Sequence, residues 1–321
     1  MSSLLGKTLH ASESADRRDG PSISSSEQAL LSQTDASGLT IVRENVPVQL
    51  GGRLANMAVR LYRPAQSRGS VFCIHGFEGN SYYFDYLAKW LGRDGFTVIA
   101  PDIVGRGDST YLGDPSMYTI ETHVRCIQAL SRYASKVNCF IGTSWGGAIL
   151  MYFLYFARVQ PQKLILNDVC LQYNDAVDDA KDFILNDSLM EFATEEEARA
   201  YVRRTRGYLG KFAEELWGPY LDNKIKCQGG KYCLAYDPAT TAHLRAPANP
   251  EYDLFPLLEK MTSRTLLLYG AESGFYDERR IADIMSRRPN ISCVPKLDAG
   301  HPPSLMTDDQ ARLVLGFLRS P

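Results

Sequence analysis

Hydrophobic and polar positions divide the chain into stretches of different character. Residues 1 to about 38 are rich in Ser, Asp, Glu and Arg and show no sustained period. They predict a mobile arm with at most one helical turn around "EQALL". From residue 40 the pattern becomes regular. "TIVRENVPVQL" and "ANMAVRLYRPA" flank "GGR" and read as a β-hairpin. "GSVFCIHG", "FTVIAPD", "NCFIGTS" and "KLILNDV" are short apolar runs of the kind found in strands buried on both faces. Between them "YYFDYLAKWLGRDG", "TIETHVRCIQALSRYA" and "GGAILMYFLYFARV" carry apolar residues at helical spacing, the first closing on Gly95 as a C-cap. The alternation predicts an α/β fold, a mostly parallel central sheet with helices on both faces.

The alternation stops near residue 170. Residues 171–260 contain helical stretches such as "TEEEARAYVRRTRGYLGKFAEELW" and no run that reads as a buried strand. It resumes with "RTLLLYG", "DERRIADIMSRR", "ISCVPK" and "TDDQARLVLGFLRS". The expected division is an arm over 1–38, a core over 39–170 and 261–321, and an all-helical cap or lid over 171–260. Ligands of such sheets bind at the carboxyl ends of the strands, and an insertion at this point would lie across them.

Composition narrows the function. The formal net charge is −2, which gives no electrostatic footprint for nucleic acid. No apolar run is long enough to span a membrane, and the N-terminal residues lack the apolar segment of a signal peptide. The seven cysteines are scattered, and only Cys227 and Cys233 are close enough in sequence to suggest a pair. The odd count predicts reduced thiols in a cytoplasmic protein. Neither C-x-x-C nor H-E-x-x-H occurs, so no metal site and no cofactor are implied.

The chemistry concentrates in "FIGTSWGGAI". Ser144 stands between Gly142 and Gly146 in G-x-S-x-G, with a strand before it and a helix after it. A turn this sharp forces the serine into a strained conformation with its hydroxyl exposed, so the flanking positions must be small. The following helix sets its N-terminal N–H groups beside the hydroxyl. With "IHGFEGN", "GTSWGG" and "DAGHPPSL", and with support from "APDIVGRGDST" and "LILNDV", the chain resembles the α/β-hydrolase superfamily over residues 40 to 320.

That resemblance implies an α/β-hydrolase fold with a cap, a serine nucleophile at Ser144 and a catalytic histidine at His301. A serine hydroxyl needs such a base to react at neutral pH. By the same resemblance the backbone N–H groups of Phe77 and Trp145 form the oxyanion hole. The other histidines fit lesser roles. His10 falls in the arm, His75 in a strand-end loop with a structural hydrogen bond, His123 on a helix and His243 in the insertion.

The third member of the triad departs from the family pattern, because Gly274 stands where relatives carry an aspartate. Asp168, at the end of the "LILND" strand, is one replacement, and Glu272 and Asp277 are the others. Each would fix the imidazole tautomer and stabilise the imidazolium. The Arg106-Gly107-Asp108 tripeptide is explained by the family loop rather than by adhesion or by a dinucleotide site. Aromatic residues of the insertion, Tyr173, Phe183, Tyr208 and Tyr220 among them, divide between cap packing and an apolar pocket. The expected activity is hydrolysis of an ester, thioester or related carbonyl compound with an apolar or aromatic part. Carbon–carbon hydrolysis, lyase or cyclase chemistry, and a receptor-like protein of low turnover are the alternatives.

Overall fold

The computed structural model describes residues 32–133, 136–247, 249, 251–293 and 297–321. Gly51 and Gly52, both with positive φ, make the two-residue turn that joins β2 (Thr40–Leu50) to β3 (Arg53–Arg63). Two successive left-handed residues match the twist of a tight hairpin, which explains the "GG" between two alternating runs. Along β3, Ala55, Met57, Val59 and Leu61 are buried while Leu54 and Asn56 face outward.

β4 (Ser70–Ile74), β5 (Thr97–Pro101), β6 (Val137–Thr143), β7 (Lys163–Asn167), β11 (Arg264–Leu268) and β12 (Ile291–Cys293) form the parallel part of the sheet. With the antiparallel β1 (Ser32–Thr34), β2 and β3, the order is β1-β2-β3-β5-β4-β6-β7-β11-β12. Side chains of β4 alternate between two cores. Phe72 and Ile74 pack beneath the helices Ile120–Ala129 and Trp145–Ala157, and Val71 and Cys73 pack beneath Asp85–Arg93 and Asp308–Arg319. Both faces of the sheet are therefore covered.

Two expectations change. The arm was expected to run to about residue 38. Residues 1–31 lie outside the described residues, but Ser32–Thr34 pair with Thr40–Val42 of β2. Asp35 forms an ion pair with Arg93 at 2.8 Å, and Leu39 is buried against Gly92. The docked chain thus begins by Ser32.

The insertion is also not all helical. It contains the helices Ala176–Asp187, Glu195–Thr205 and Trp217–Lys224, and a three-stranded antiparallel sheet of β8 (Glu191–Phe192), β9 (Ile225–Gln228) and β10 (Lys231–Leu234). β9 and β10 turn at Gly229-Gly230, both with positive φ, as the first hairpin does. Cys227 faces Tyr232 in that ladder and Cys233 faces Lys226, so the two thiols are offset by one residue, and all seven cysteines are free.

Candidate functional site

Ser144 occupies the step between β6 and the helix Trp145–Ala157 at φ 50°, ψ −126°. A non-glycine residue with positive φ stores strain and occurs where the surroundings over-determine it. Those surroundings require glycine on both sides. A Cβ on Gly142 would stand 2.4 Å from the Cα of Gly147, and one on Gly146 would stand 2.2 Å from the carbonyl oxygen of His75. Gly147 is equally closed, with Val169 Cγ2 2.2 Å from its would-be Cβ.

The hydroxyl finds a partner. Ser144 Oγ lies 2.7 Å from His301 Nε2, and His301 Nδ1 lies 3.3 Å from Asp168 Oδ2, an oblique approach. Asp168 is fully buried and sits at the end of β7 with φ 54°, a conformation that Asp tolerates better than most residues. Its amide is bonded to the Leu268 carbonyl at 2.8 Å, and Oδ2 is also 3.4 Å from the Gly270 amide. The Phe275 ring packs on His301 with centroids 4.2 Å apart.

The other two candidate carboxylates are elsewhere. Asp277 caps the helix Glu278–Arg287 by accepting from the Arg280 amide at 2.7 Å. Glu272 is exposed on the cavity wall, its amide bonded to the Ala299 carbonyl. Among the described residues, Asp168 is the carboxylate within ion-pair reach of the ring. Gly274, at φ 73°, lines the same cavity.

Phe77 and Trp145 frame the site with their rings 5.6 Å apart, edge to face. Neither amide is taken by a backbone carbonyl among the described residues. His75 is fully buried, and burial pulls its pKa down to about 3. Its Nδ1–H donates to the Gly76 carbonyl at 2.7 Å and its Nε2 accepts from the Ile103 amide at 3.0 Å. His75 is thus a brace of the loop. His123 is buried edge-on to Trp145, and His243 lines the cavity beside Phe77.

Three residues that the sequence left without a role support this arrangement. Asn167 is fully buried, and its Nδ2 reaches Thr143 Oγ1 at 3.2 Å, the Tyr83 hydroxyl at 3.3 Å and the Pro303 carbonyl at 3.0 Å. Its own carbonyl accepts from the Ser144 amide at 2.8 Å. Glu78, next to Phe77, pairs with Arg206 and lies 3.5 Å from Lys224 Nζ, both cap residues, and Arg206 also pairs with Asp187. Burial favours protonation of Glu78, but Arg206 and Lys224 outweigh it and hold the carboxyl at about 2. Arg106 is fully buried at the back of Phe77 and Trp145, which removes the arginine of the Arg-Gly-Asp tripeptide from the surface although Asp108 stays exposed.

A cavity of about 730 Å³ opens from Ser144 and His301 toward the insertion. Its walls include Tyr173, Phe183, Ile184, Tyr208, Leu209, Leu244 and Tyr252. A model of the alpha/beta hydrolase fold matches residues 69–305. The chain belongs to the α/β-hydrolase family. This hydrolase is 29% identical over 265 residues to a 3-hydroxybutyrate-oligomer hydrolase of Cupriavidus necator, a match that covers 79% of this chain and 89% of the relative. A putative hydrolase from Rickettsia typhi shares its fold with a TM-score of 0.73 at 22% identity, over 87% of this chain and 98% of the other. An alpha/beta hydrolase from Novosphingobium aromaticivorans gives 0.73 at 24%, over 86% and 98%. No helix among the described residues of this hydrolase is long and apolar enough to cross a membrane.

Proposed function

We propose that this hydrolase cleaves carboxylic esters through an acyl-enzyme on Ser144. The observation that carries the reading is the 2.7 Å contact between Ser144 Oγ, on a strained and half-buried residue at the cavity, and His301 Nε2. His301 takes the hydroxyl proton at Nε2 as Oγ bonds to the substrate carbonyl carbon. It returns that proton to the alkoxy oxygen as the carbon–oxygen bond breaks. A water molecule then repeats the sequence on the acyl-enzyme and releases the acid. Asp168 faces Nδ1–H, keeps Nε2 free to accept, and stabilises the imidazolium. The N–H groups of Phe77 and Trp145 receive the negative oxygen.

Residues 171–260 act in this reading as the cap over the substrate, and the apolar cavity wall suits an ester with an apolar portion. The Cupriavidus necator relative favours short hydroxyacyl esters and their oligomers within that class. Gly274 in place of the usual aspartate favours a receptor-like reading, and Asp168 Oδ2 at 3.3 Å from His301 Nδ1 supports the hydrolase reading over it.

The test is labelling of the purified protein by a fluorophosphonate, together with hydrolysis of p-nitrophenyl butyrate and of 3-hydroxybutyrate dimer and trimer. Labelling and turnover that vanish in Ser144→Ala are expected. Hydrolysis that survives the substitution would remove Ser144 from the mechanism.

A further inference from the structure

Among the described residues two arginines, Arg106 and Arg206, are buried completely, and they differ in one respect. Arg206 is neutralised by two carboxylates, Glu78 and Asp187. Arg106 has no carboxylate within 4.0 Å among the described residues. Its neighbours are neutral. Nε donates to the Phe77 carbonyl at 2.9 Å, and Nη1 donates to the Val104 carbonyl at 3.2 Å and lies 3.5 Å from His123 Nε2. The guanidinium carbon lies 4.4 Å from the centroid of the Trp145 ring and 4.8 Å from that of Phe77. Asp237, nearby in the cap, accepts from the Tyr118 hydroxyl at 2.6 Å and the Gly113 amide at 2.8 Å and makes no ion pair with Arg106, although its charge still attracts the guanidinium.

An unpaired buried cation is expensive, and carbonyl dipoles and aromatic faces return only part of the cost. A methionine or leucine would fill the space more cheaply. What Arg106 touches is informative. Phe77 and Trp145 are the two residues whose amides would receive the developing oxyanion, and they come from different loops. One planar group bonds the main chain of the first and stacks against the rings of both. We propose that Arg106 is a positioning residue for the oxyanion hole, fixing Phe77 and Trp145 relative to each other and keeping a positive charge without a direct ion-pair partner behind the point where negative charge forms. The resting site then gives Arg106 no carboxylate in direct contact, and the transition state brings a second negative charge toward it. Fixed charge in a dry site acts without reorganisation at the moment of reaction. The assignment rests on the acyl-transfer reading of Ser144.

The experiment compares wild type, Arg106→Met and Arg106→Lys. Each is assayed with p-nitrophenyl butyrate and for binding of two ligands of equal length. An alkyl trifluoromethyl ketone adds Ser144 Oγ and forms an oxyanion. The matching secondary alcohol fills the cavity and forms none. Arg106→Met is expected to lose about 10²-fold in kcat, the scale of one oxyanion-hole donor, with KM within about 3-fold. Its affinity for the ketone should fall by a similar factor while that for the alcohol stays unchanged.

Arg106→Lys keeps the charge and loses the fork and the stack. It should fall between, about 10-fold down in kcat. If Arg106→Met fails to fold, this variant decides the matter, and wild-type kcat and ketone affinity in it would overturn the proposal. So would Arg106→Met with kcat within about 2-fold of wild type, or with ketone and alcohol affinities falling together, which is the behaviour of a packing residue. A wild type that hydrolyses no ester and binds the ketone no more tightly than the alcohol would sink the Ser144 reading itself, and the assignment with it, before any substitution is made.

Discussion

The side-chain amide of Asn167 donates to the carbonyl of Pro303 at 3.0 Å, across 136 residues of sequence. The same residue accepts from the Ser144 amide through its own carbonyl at 2.8 Å. One buried residue therefore connects the Ser144 turn with the loop that carries His301. Asn167→Leu has similar volume and keeps the main-chain bond but removes the two N–H donors that these three acceptors share. It should lower stability by about 1 kcal/mol, the net worth of a hydrogen bond, because the Tyr83 hydroxyl still donates to the Pro303 carbonyl. It should also lower kcat by more than that loss explains at temperatures where the variant is fully folded. Urea titration beside kcat checks both, and an unchanged kcat would make Asn167 a structural residue only.

The carboxylates separate by substitution. Asp168→Asn should cut turnover by up to about 10⁴-fold, because an amide at that place permits the wrong imidazole tautomer. Asp277→Ala should leave kcat nearly intact and reduce stability by about 1 kcal/mol through loss of the helix cap at the Arg280 amide. Glu272→Gln should do neither. Steady-state kinetics with thermal melts on the three variants would expose a misassigned acid as a reversal of this order.

Gly146→Ala tests the turn itself. The added methyl would stand 2.2 Å from the His75 carbonyl oxygen and 2.5 Å from that of Ile74, both main-chain atoms that cannot step aside. A loss of about 3 kcal/mol or more is expected, the upper range for single substitutions with a named steric cause. Denaturation midpoints measure it, and a near-neutral result would mean that the strand end yields.

Acid sensitivity should appear well above the carboxylate range. Burial holds His75 neutral and pulls its pKa from 6.5 to about 3, and burial also lowers that of His123. Between those values the unfolded chain binds protons that the folded chain refuses. Stability is then complete above pH 6.5 and declines as the pH falls, by about 1.4 kcal/mol per unit for each histidine. Urea midpoints at pH 7.5, 6.0 and 5.0 should decrease, and His75→Asn should make the slope shallower. A flat profile over that range would contradict neutral burial.

The core was legible because its signals are local. Fully apolar runs such as Val71–Ile74 announce strands buried on both faces, and Gly142, Ser144 and Gly146 announce the turn through steric need within a few residues. β9 and β10 escaped because each has four residues, with Lys226 and Gln228 in the first and Lys231 in the second and one buried position between them, although Gly229-Gly230 repeats the turn signal of Gly51-Gly52. β1 has three residues and no alternation. The contacts of Asn167, Arg106 and Glu78 depend on partners far away in sequence, so no spacing rule reaches them. Asp277 could have been set aside earlier, since an aspartate directly before a helical run is an N-cap signal. Choosing between Asp168 and Glu272 required the distance to His301.

Glu78 belongs to the core, yet its balancing charges, Arg206 and Lys224, belong to the insertion. This ties the heredity of the two segments together. A recombination that brought in another relative's insertion without these basic residues would leave a part-buried carboxylate unpaired beside Phe77, a loss of up to about 3 kcal/mol, a large share of the stability of an ordinary protein. Exchanging the insertion to obtain a new substrate range would therefore require the "FEGN" loop to travel with it. Diversification of the pocket is easier through single substitutions on the cavity wall, at residues such as Leu244 and Tyr252 that stand outside this cluster.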